Sequence, residues 1–282
     1  MRAMPGSNAK RPLRLPEVNF SDEGRVRHLH LGTEWIQGSM RLDAPTELFH
    51  EYIQRMMAWL LFVEPDSVAG RQALQLGLGA GSLSKFCYTK LHMQTAAIEL
   101  NPQVLLACRG WFQLPADSPR FEVVLADAAE EIQNPRWWGR VDALQVDLYD
   151  HEAAAPVLDS YLFYSHCRRL LTDQGCLTVN LFGRASSFAR SLDKLSDAFG
   201  ASAVWAFKPT REGNTVVLVR DWAEKVRCCR PDFCAASSTW MTDWWLACAS
   251  AEITTRACGE SLAAWLNAVV NATTSDGLIA TF

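Results

Sequence analysis

Little net charge, no C-x-x-C pair and no long apolar run mark this sequence, and each absence removes a class of function. Its 282 residues hold 27 lysines and arginines against 31 aspartates and glutamates, a formal charge of -4. That balance gives no electrostatic reason to expect nucleic acid or a membrane surface as partner. The nine cysteines are odd in number and none form C-x-x-C, so they read as free thiols of a reducing cytoplasm. The longest apolar run, Met56 to Val63, is too short to span a bilayer. The N-terminus is basic (Arg2, Lys10, Arg11, Arg14) yet lacks an apolar core segment, which argues against a signal peptide or an anchor. What remains is a soluble, cytoplasmic protein. A hydrophobic content of 49% is enough to build a substantial core.

The stretch Ala73 to Leu83 organises the rest. Leu74, Leu76 and Leu78 read as the end of a buried strand, and Gly77, Gly79 and Gly81 follow at every second position. From Ser82 the pattern turns helical, with Leu83, Phe86 and Cys87 at i, i+3 and i+4. A strand that breaks into glycines and at once becomes a helix lets a ligand approach bare backbone at a helix N-terminus. Gly77 to Gly81 spell G-x-G-x-G, with Ser82 where a dinucleotide fingerprint wants glycine or alanine.

From Gln72 onward strands and helices alternate. Strands are expected at 73–78, 94–99, 121–126, 141–147, 175–181, 202–208 and 214–220, and helices at 82–90, 101–110, 127–133, 160–171 and 185–199. Such alternation implies βαβ units and a parallel sheet. Pro209 to Asn214 is too short for a helix, so one antiparallel pair closes the sheet. The fold class is therefore α/β, a seven-stranded, class I methyltransferase-like (Rossmann-like) doubly wound sheet. Ahead of it, β-prone runs at 18–20, 26–31 and 34–37 suggest a small antiparallel β-hairpin unit. His28 and His30 share a strand face there; without a third ligand, an exposed strand face is the better reading than a metal pair. A helix is expected from Pro45 to about Val63, carrying the apolar stripe Leu48, Phe49, Tyr52, Met56, Leu60 and Val63. The expected organisation is a loose basic arm over 1–15, the hairpin unit over 16–43, the α/β domain over 44–220 and an accessory tail over 221–282. That tail, with five of the nine cysteines, reads as a packing or dimerisation segment, so a homodimer stays open.

In an open α/β sheet, ligands sit beyond the carboxyl ends of the strands. Glu99 ends the second strand, where a carboxylate can accept both ribose hydroxyls; Asp127 ends the third, and Asp147 with Asp150 end the fourth. Each alone could be a helix cap or a solvated loop residue. Four successive strand ends carrying acids fit that reading poorly. With no Lys-Ser/Thr after the glycines, the loop suits a nucleoside better than a triphosphate.

These segments together resemble the spermidine synthase (polyamine aminopropyltransferase) family over roughly residues 18–220. Gly77-Leu-Gly-Ala-Gly81 sits where that family has its glycine-rich loop, and Ile98-Glu-Leu-Asn-Pro102 resembles its Glu-(Ile/Leu)-Asp-Pro segment. Ala126-Asp-Ala128 matches its Gly-Asp-Gly/Ala, Asp147-Leu-Tyr-Asp150 its Asp-x-x-Asp before a gating loop, and Gly32 to Gln37 its hairpin ending in glutamine. The resemblance implies an adenosyl sulfonium co-substrate, decarboxylated S-adenosylmethionine or S-adenosylmethionine, with no prosthetic group and no metal. It implies donor contacts by Gly77, Gly79, Ala80, Gly81, Glu99, Asp127, Ala128 and Gln37. Glu99 would hold the ribose and Asp127 the adenine amino group. Asp150 would be the general base toward a small-molecule amine, and Asp147 would help to bind its cation. An alkylammonium with a reference pKa near ~10.4 is rarely a free nucleophile at neutral pH, so such a site must bind the cation and remove its proton.

Two departures from the family pattern stand out. Its loop carries an aspartate, which holds the donor's amino end, where this chain has Ala80. Its Asp-Glu-x-x-Tyr-x-Glu cluster is replaced by Glu47-Leu-Phe-His-Glu-Tyr52. Aminopropyl transfer to an amine is the leading expectation. Methyl transfer from S-adenosylmethionine and a non-catalytic binding or scaffold role are the alternatives.

Overall fold

The computed structural model describes residues 15–63, 65–148, 158–182, 185–220 and 253–255. It opens with three antiparallel strands, β1 (Val18–Glu23), β2 (Val26–Leu31) and β3 (Ile36–Arg41), in the order β1-β2-β3. The three β-prone runs expected from the sequence thus form three strands, the third lying at Ile36–Arg41 in place of 34–37. The tight ends of the sheet are glycine turns: Gly24 and Gly32 take φ of 59° and 69°, a region that non-glycine residues rarely adopt.

The long helix expected from Pro45 does not form. The chain makes only α1 (Glu51–Arg55), then a tighter 3-10 turn over Ala58–Phe62. Met56, Met57, Ala58, Trp59, Leu60 and Leu61 are all buried, so the segment has no solvent face. Competing partners also draw off its backbone. Thr178 Oγ1 donates to the Met56 carbonyl, while Met57 N–H bonds Gln54 O and Leu60 N–H bonds Met57 O in the i−3 pattern of a 3-10 helix. An apolar stripe widened by Trp59 and Phe62 signals burial, and burial on all sides does not require an α-helix.

Beyond it, β4 (Gln72–Leu76), α2 (Ser82–Thr89), β5 (Gln94–Glu99), α3 (Pro102–Trp111), β6 (Phe121–Leu125), α4 (Ala128–Glu131) and β7 (Val141–Val146) follow the expected alternation. So do α5 (Tyr161–Leu170), β8 (Leu171–Phe182), α6 (Ala185–Phe199), β9 (Val204–Phe207) and β10 (Asn214–Arg220). The strand order is β11-β9-β10-β8-β7-β4-β5-β6. Strands β4 to β8 pair in parallel, whereas β10 runs antiparallel between β8 and β9. A short β11 (Ile253–Thr255), from the segment read as an accessory tail, pairs antiparallel with β9 and adds an eighth strand at that edge. The cysteines and tryptophans singled out beyond residue 220 lie outside the described residues.

Alternate residues of the central strands face opposite layers, and both are buried, as expected when helices cover both faces. Ala73 and Ala143 pack with Leu83, Phe86 and Cys87 of α2 and with the 53–63 segment. Leu74, Leu76, Leu144 and Val146 pack with α5 and α6 through Phe163, Tyr164, Leu192 and Leu195. The helix starts use the caps the sequence offers: Asn101 accepts from Gln103 N–H with Pro102 in the first turn of α3, and Ser160 accepts from Phe163 N–H. No helix among the described residues is long and apolar enough to cross a membrane.

Candidate active site

Four parallel strands bring their carboxyl ends to one level. Gly77 N–H bonds Ile98 O, Asp147 N–H bonds Leu76 O and Ala126 N–H bonds Glu99 O, at 2.9 to 3.0 Å. Strand order reverses between β4 and β7, and a cavity of about 670 Å³ opens beyond that point. Gln37, Gly77, Gly79, Glu99, Asp127, Ala128 and Asp147 line it.

The glycine loop is held from both sides. A Cβ on Gly77 (φ 84°) would lie 2.2 Å from Asp147 O, so only glycine lets β4 leave the sheet against β7. On the other side β3 packs on the loop: a Cβ on Gly79 would lie 3.1 Å from Gln37 O, and one on Gly38 would lie 2.9 Å from Ala80 Cβ. Ser82 Oγ ties the start of α2 to the Ser39 carbonyl at 3.1 Å. The N-terminal sheet therefore forms one wall of the cavity and also clamps the loop. Ala80 and Gly81 do not line the cavity; the buried methyl of Ala80 is turned toward Gly38, and Gly81 packs on Leu114. Donor contact at these two positions, expected from the sequence, would fall to their backbone and not to the Ala80 methyl.

Glu99 is only 9% exposed, and its two oxygens accept from Leu78 N–H (2.9 Å) and Asn101 N–H (2.8 Å). Burial raises its pKa, and these backbone donors oppose the rise. Each oxygen keeps acceptor capacity for a ligand hydroxyl. Asp127 uses Oδ1 to cap α4 through Ala129 N–H (2.8 Å) while it borders the cavity, so the cap reading and the site reading hold together.

Asp147 is a second perturbed carboxylate of the site. Burial pushes its pKa from 3.8 to about 6, opposed by hydrogen bonds from Asn180 and Tyr52. The Asn180 amide donates to Asp147 Oδ1 at 2.9 Å, and Asn214 Nδ2 in turn donates to Asn180 Oδ1 at 3.1 Å. A carboxylate poised near 6, fixed by two donors at a cavity wall, is suited to take a proton near neutral pH. Asp150 and the gating loop lie outside the described residues.

No protein-family model matches the chain. A curated relative, the polyamine aminopropyltransferase of Neisseria meningitidis serogroup A, is 33% identical over 224 residues, spanning 75% of this chain and 83% of its own. The chain belongs to the polyamine aminopropyltransferase family. Solved structures agree at the level of fold. A probable spermidine synthase from Corynebacterium glutamicum superposes with a TM-score of 0.63 at 17% identity, over 91% of each chain. Human Methyltransferase-like protein 13, in complex with SAH, gives 0.57 at 20% identity over 71% of this chain and 91% of its own.

Of the aminopropyltransferase residues expected from the sequence, five side chains and two loop glycines thus meet at one cavity. Asn180, Asn214, Trp35, His50 and Glu212 also line it and were not singled out. Asn180 left a trace: Thr178 and Asn180 sit at i and i+2 in the otherwise apolar half of β8 from Cys176 to Phe182, a buried polar face that demands partners. Trp35 and Glu212 come from turns and left no comparable trace. The exposed face expected of His28 and His30 does not form, because both rings turn to partners and neither is exposed. His28 is 8% exposed and bonds Ser39, whereas His30 bonds Ser21 Oγ and the Trp35 carbonyl. No group of three or more metal-ligating side chains occurs among the described residues.

Proposed function

We propose that this chain is a cytoplasmic transferase that moves an aminopropyl group from decarboxylated S-adenosylmethionine to a small amine. The observation that carries the proposal is the grouping of Glu99, Asp127 and Asp147 around one cavity, with Asp147 held near its proton-accepting range. Glu99 binds the ribose hydroxyls, the glycine loop faces the nucleoside and Asp127 borders the base. The donor is consumed as a co-substrate, so no prosthetic group takes part.

The chemistry balances with this chain's own groups. The amine lone pair attacks the methylene carbon bonded to the sulfonium, and that carbon–sulfur bond breaks. Its electron pair stays on sulfur, leaving neutral methylthioadenosine. The proton lost by nitrogen passes to Asp147, whose surroundings fit that task; Asp150, the base that the resemblance implies, lies outside the described residues. Tyr52 and Asn180 orient the carboxylate. Positioning the amine against the donor lowers the barrier further, since a bimolecular step becomes effectively unimolecular.

Methyl transfer from intact S-adenosylmethionine is the second reading, favoured by a loop that lines the cavity with Gly77 and Gly79 and sets no carboxylate of its own against the donor. Calorimetric titration with decarboxylated S-adenosylmethionine, S-adenosylmethionine and methylthioadenosine tests the proposal. Saturable binding of the decarboxylated donor and of methylthioadenosine is expected; failure to bind any adenosyl compound would overturn it.

A further inference from the structure

The first turn of α3 grips the chain where it enters the N-terminal sheet. Asn101 is only 5% exposed, and each of its polar groups is engaged. Its N–H donates to Glu99 Oε1 at 2.8 Å, and its Oδ1 accepts from Gln103 N–H at 3.0 Å. The remaining group, Nδ2, donates to the Pro16 carbonyl at 2.9 Å, across 85 residues of sequence. Gln103 adds a second hold, where its Oε1 accepts from Val18 N–H at 3.2 Å.

β1 is an edge strand, paired with β2 alone among the described residues, so its outer side is open to α3. Leu15 and Pro16, which lead into it, line the cavity together with Glu99 and Asn101, and both are half-buried. Leu29, Leu31 and Val104 line the same cavity, so this short strap extends an apolar wall. Proline fixes its own φ and biases Leu15 toward an extended conformation, so few contacts suffice to hold the strap. Those contacts lead to the donor site. The residue that holds Pro16 with its side chain holds Glu99 with its backbone. Capping α3 does not by itself call for asparagine: serine or aspartate would cap as well, but aspartate has no donor and serine is too short to serve both partners.

We propose that Asn101 is a positioning residue that latches the Leu15–Pro16 strap against the cavity beside Glu99, so that strap and carboxylate hold the nucleoside of the donor together. The inference rests on the transferase reading above and deepens its donor site, adding an apolar wall from the N-terminal segment to the ribose-binding acid. A strap latched in advance spares the donor the cost of ordering it. Chains whose strap is released are lost to binding in proportion to their fraction.

Calorimetric titration of methylthioadenosine into wild type, Asn101→Ser and Asn101→Asp tests the latch. Both variants keep a capping oxygen and lose the bond to Pro16. Both should weaken binding by about three- to tenfold, the worth of one hydrogen bond, and by similar factors. Unchanged affinity in Asn101→Ser overturns the proposal. So does a loss confined to Asn101→Asp, which would come from the new charge beside Glu99 and not from the strap. Amide hydrogen exchange adds a readout that a purely structural role would not move. Methylthioadenosine should slow exchange at Val18 N–H in wild type. In Asn101→Ser without ligand, that amide should exchange faster while the amides of α3 hold. A Val18 amide indifferent to ligand, or faster exchange throughout α3 in the variant, would leave Asn101 a helix cap and refute the latch. A wild type that binds no adenosyl compound instead refutes the transferase reading, and Val18 exchange in Asn101→Ser still tests the latch.

Discussion

Replacing Asp147 by asparagine removes a charge that the folded chain holds away from water. Its pKa stands at about 6 in place of 3.8, a difference of ~2.2 units, or ~3 kcal/mol at ~1.36 kcal/mol per unit. The sign follows from proton binding. Between about pH 4 and pH 6 the folded chain keeps a proton that the unfolded chain has released, so stability falls as pH rises through this window and then levels off. Asparagine is never ionised, and its Oδ1 can still accept from the Asn180 amide. Asp147→Asn should therefore be more stable than wild type by ~1–3 kcal/mol at pH 7.5. That advantage should shrink by ~1.4 kcal/mol on going to pH 5, where the wild-type carboxylate is mostly protonated. Turnover should fall by ~10²–10⁴, the usual contribution of a positioned base. Urea-unfolding midpoints of both proteins across pH 5–8, with unchanged m-values, measure the first effect. A variant that is less stable at pH 7.5, or a difference that does not move with pH, would refute the reasoning on Asp147.

Other outcomes are expected. Tyr52→Phe removes a hydrogen bond that lowers the Asp147 pKa, so the acidic limb of the kcat/KM profile should move to higher pH; an unmoved limb would detach Tyr52 from the base. Glu99→Ala should weaken methylthioadenosine binding ~10-fold or more by calorimetry, because bonds to a carboxylate are worth ~1.5–3 kcal/mol each; unchanged affinity would remove Glu99 from the donor site. Ala80→Asp should lower the thermal midpoint without switching donor preference, since the methyl it replaces is turned toward Gly38 and a buried carboxylate there has no partner. A stable variant with a new donor preference would return Ala80 to the pocket. Burial pushes the thiols of Cys87, Cys108 and Cys176 up to about 12, so native-state alkylation followed by peptide mapping should spare all three.

Period and punctuation made the α/β frame legible. Glycines at every second position closed β4, and the helix expected at 101–110 forms as α3. The same logic failed over 45–63, because its stretch from Met56 to Leu61 is buried on all sides and carries no helical face to read. Acids at strand ends were legible for the same reason that ligands bind there: in parallel strands, chain order fixes the level of each carboxyl end. Asn214 reaches Asn180, the partner of Asp147, and Glu212 acts on His50 from across the sheet, through pairing between β8 and β10 that no local pattern encodes. Ala80 was legible as a position in the loop, whereas the direction of its side chain depends on the backbone turn at Gly79, which no motif gives.

The most direct test of the central claim is product analysis of purified wild type given a diamine with either donor. Mass spectrometry should find the amine carrying one added aminopropyl group, together with methylthioadenosine in equal amount, only with decarboxylated S-adenosylmethionine. A methylated amine with S-adenosylhomocysteine, or no product from either donor, would contradict the account.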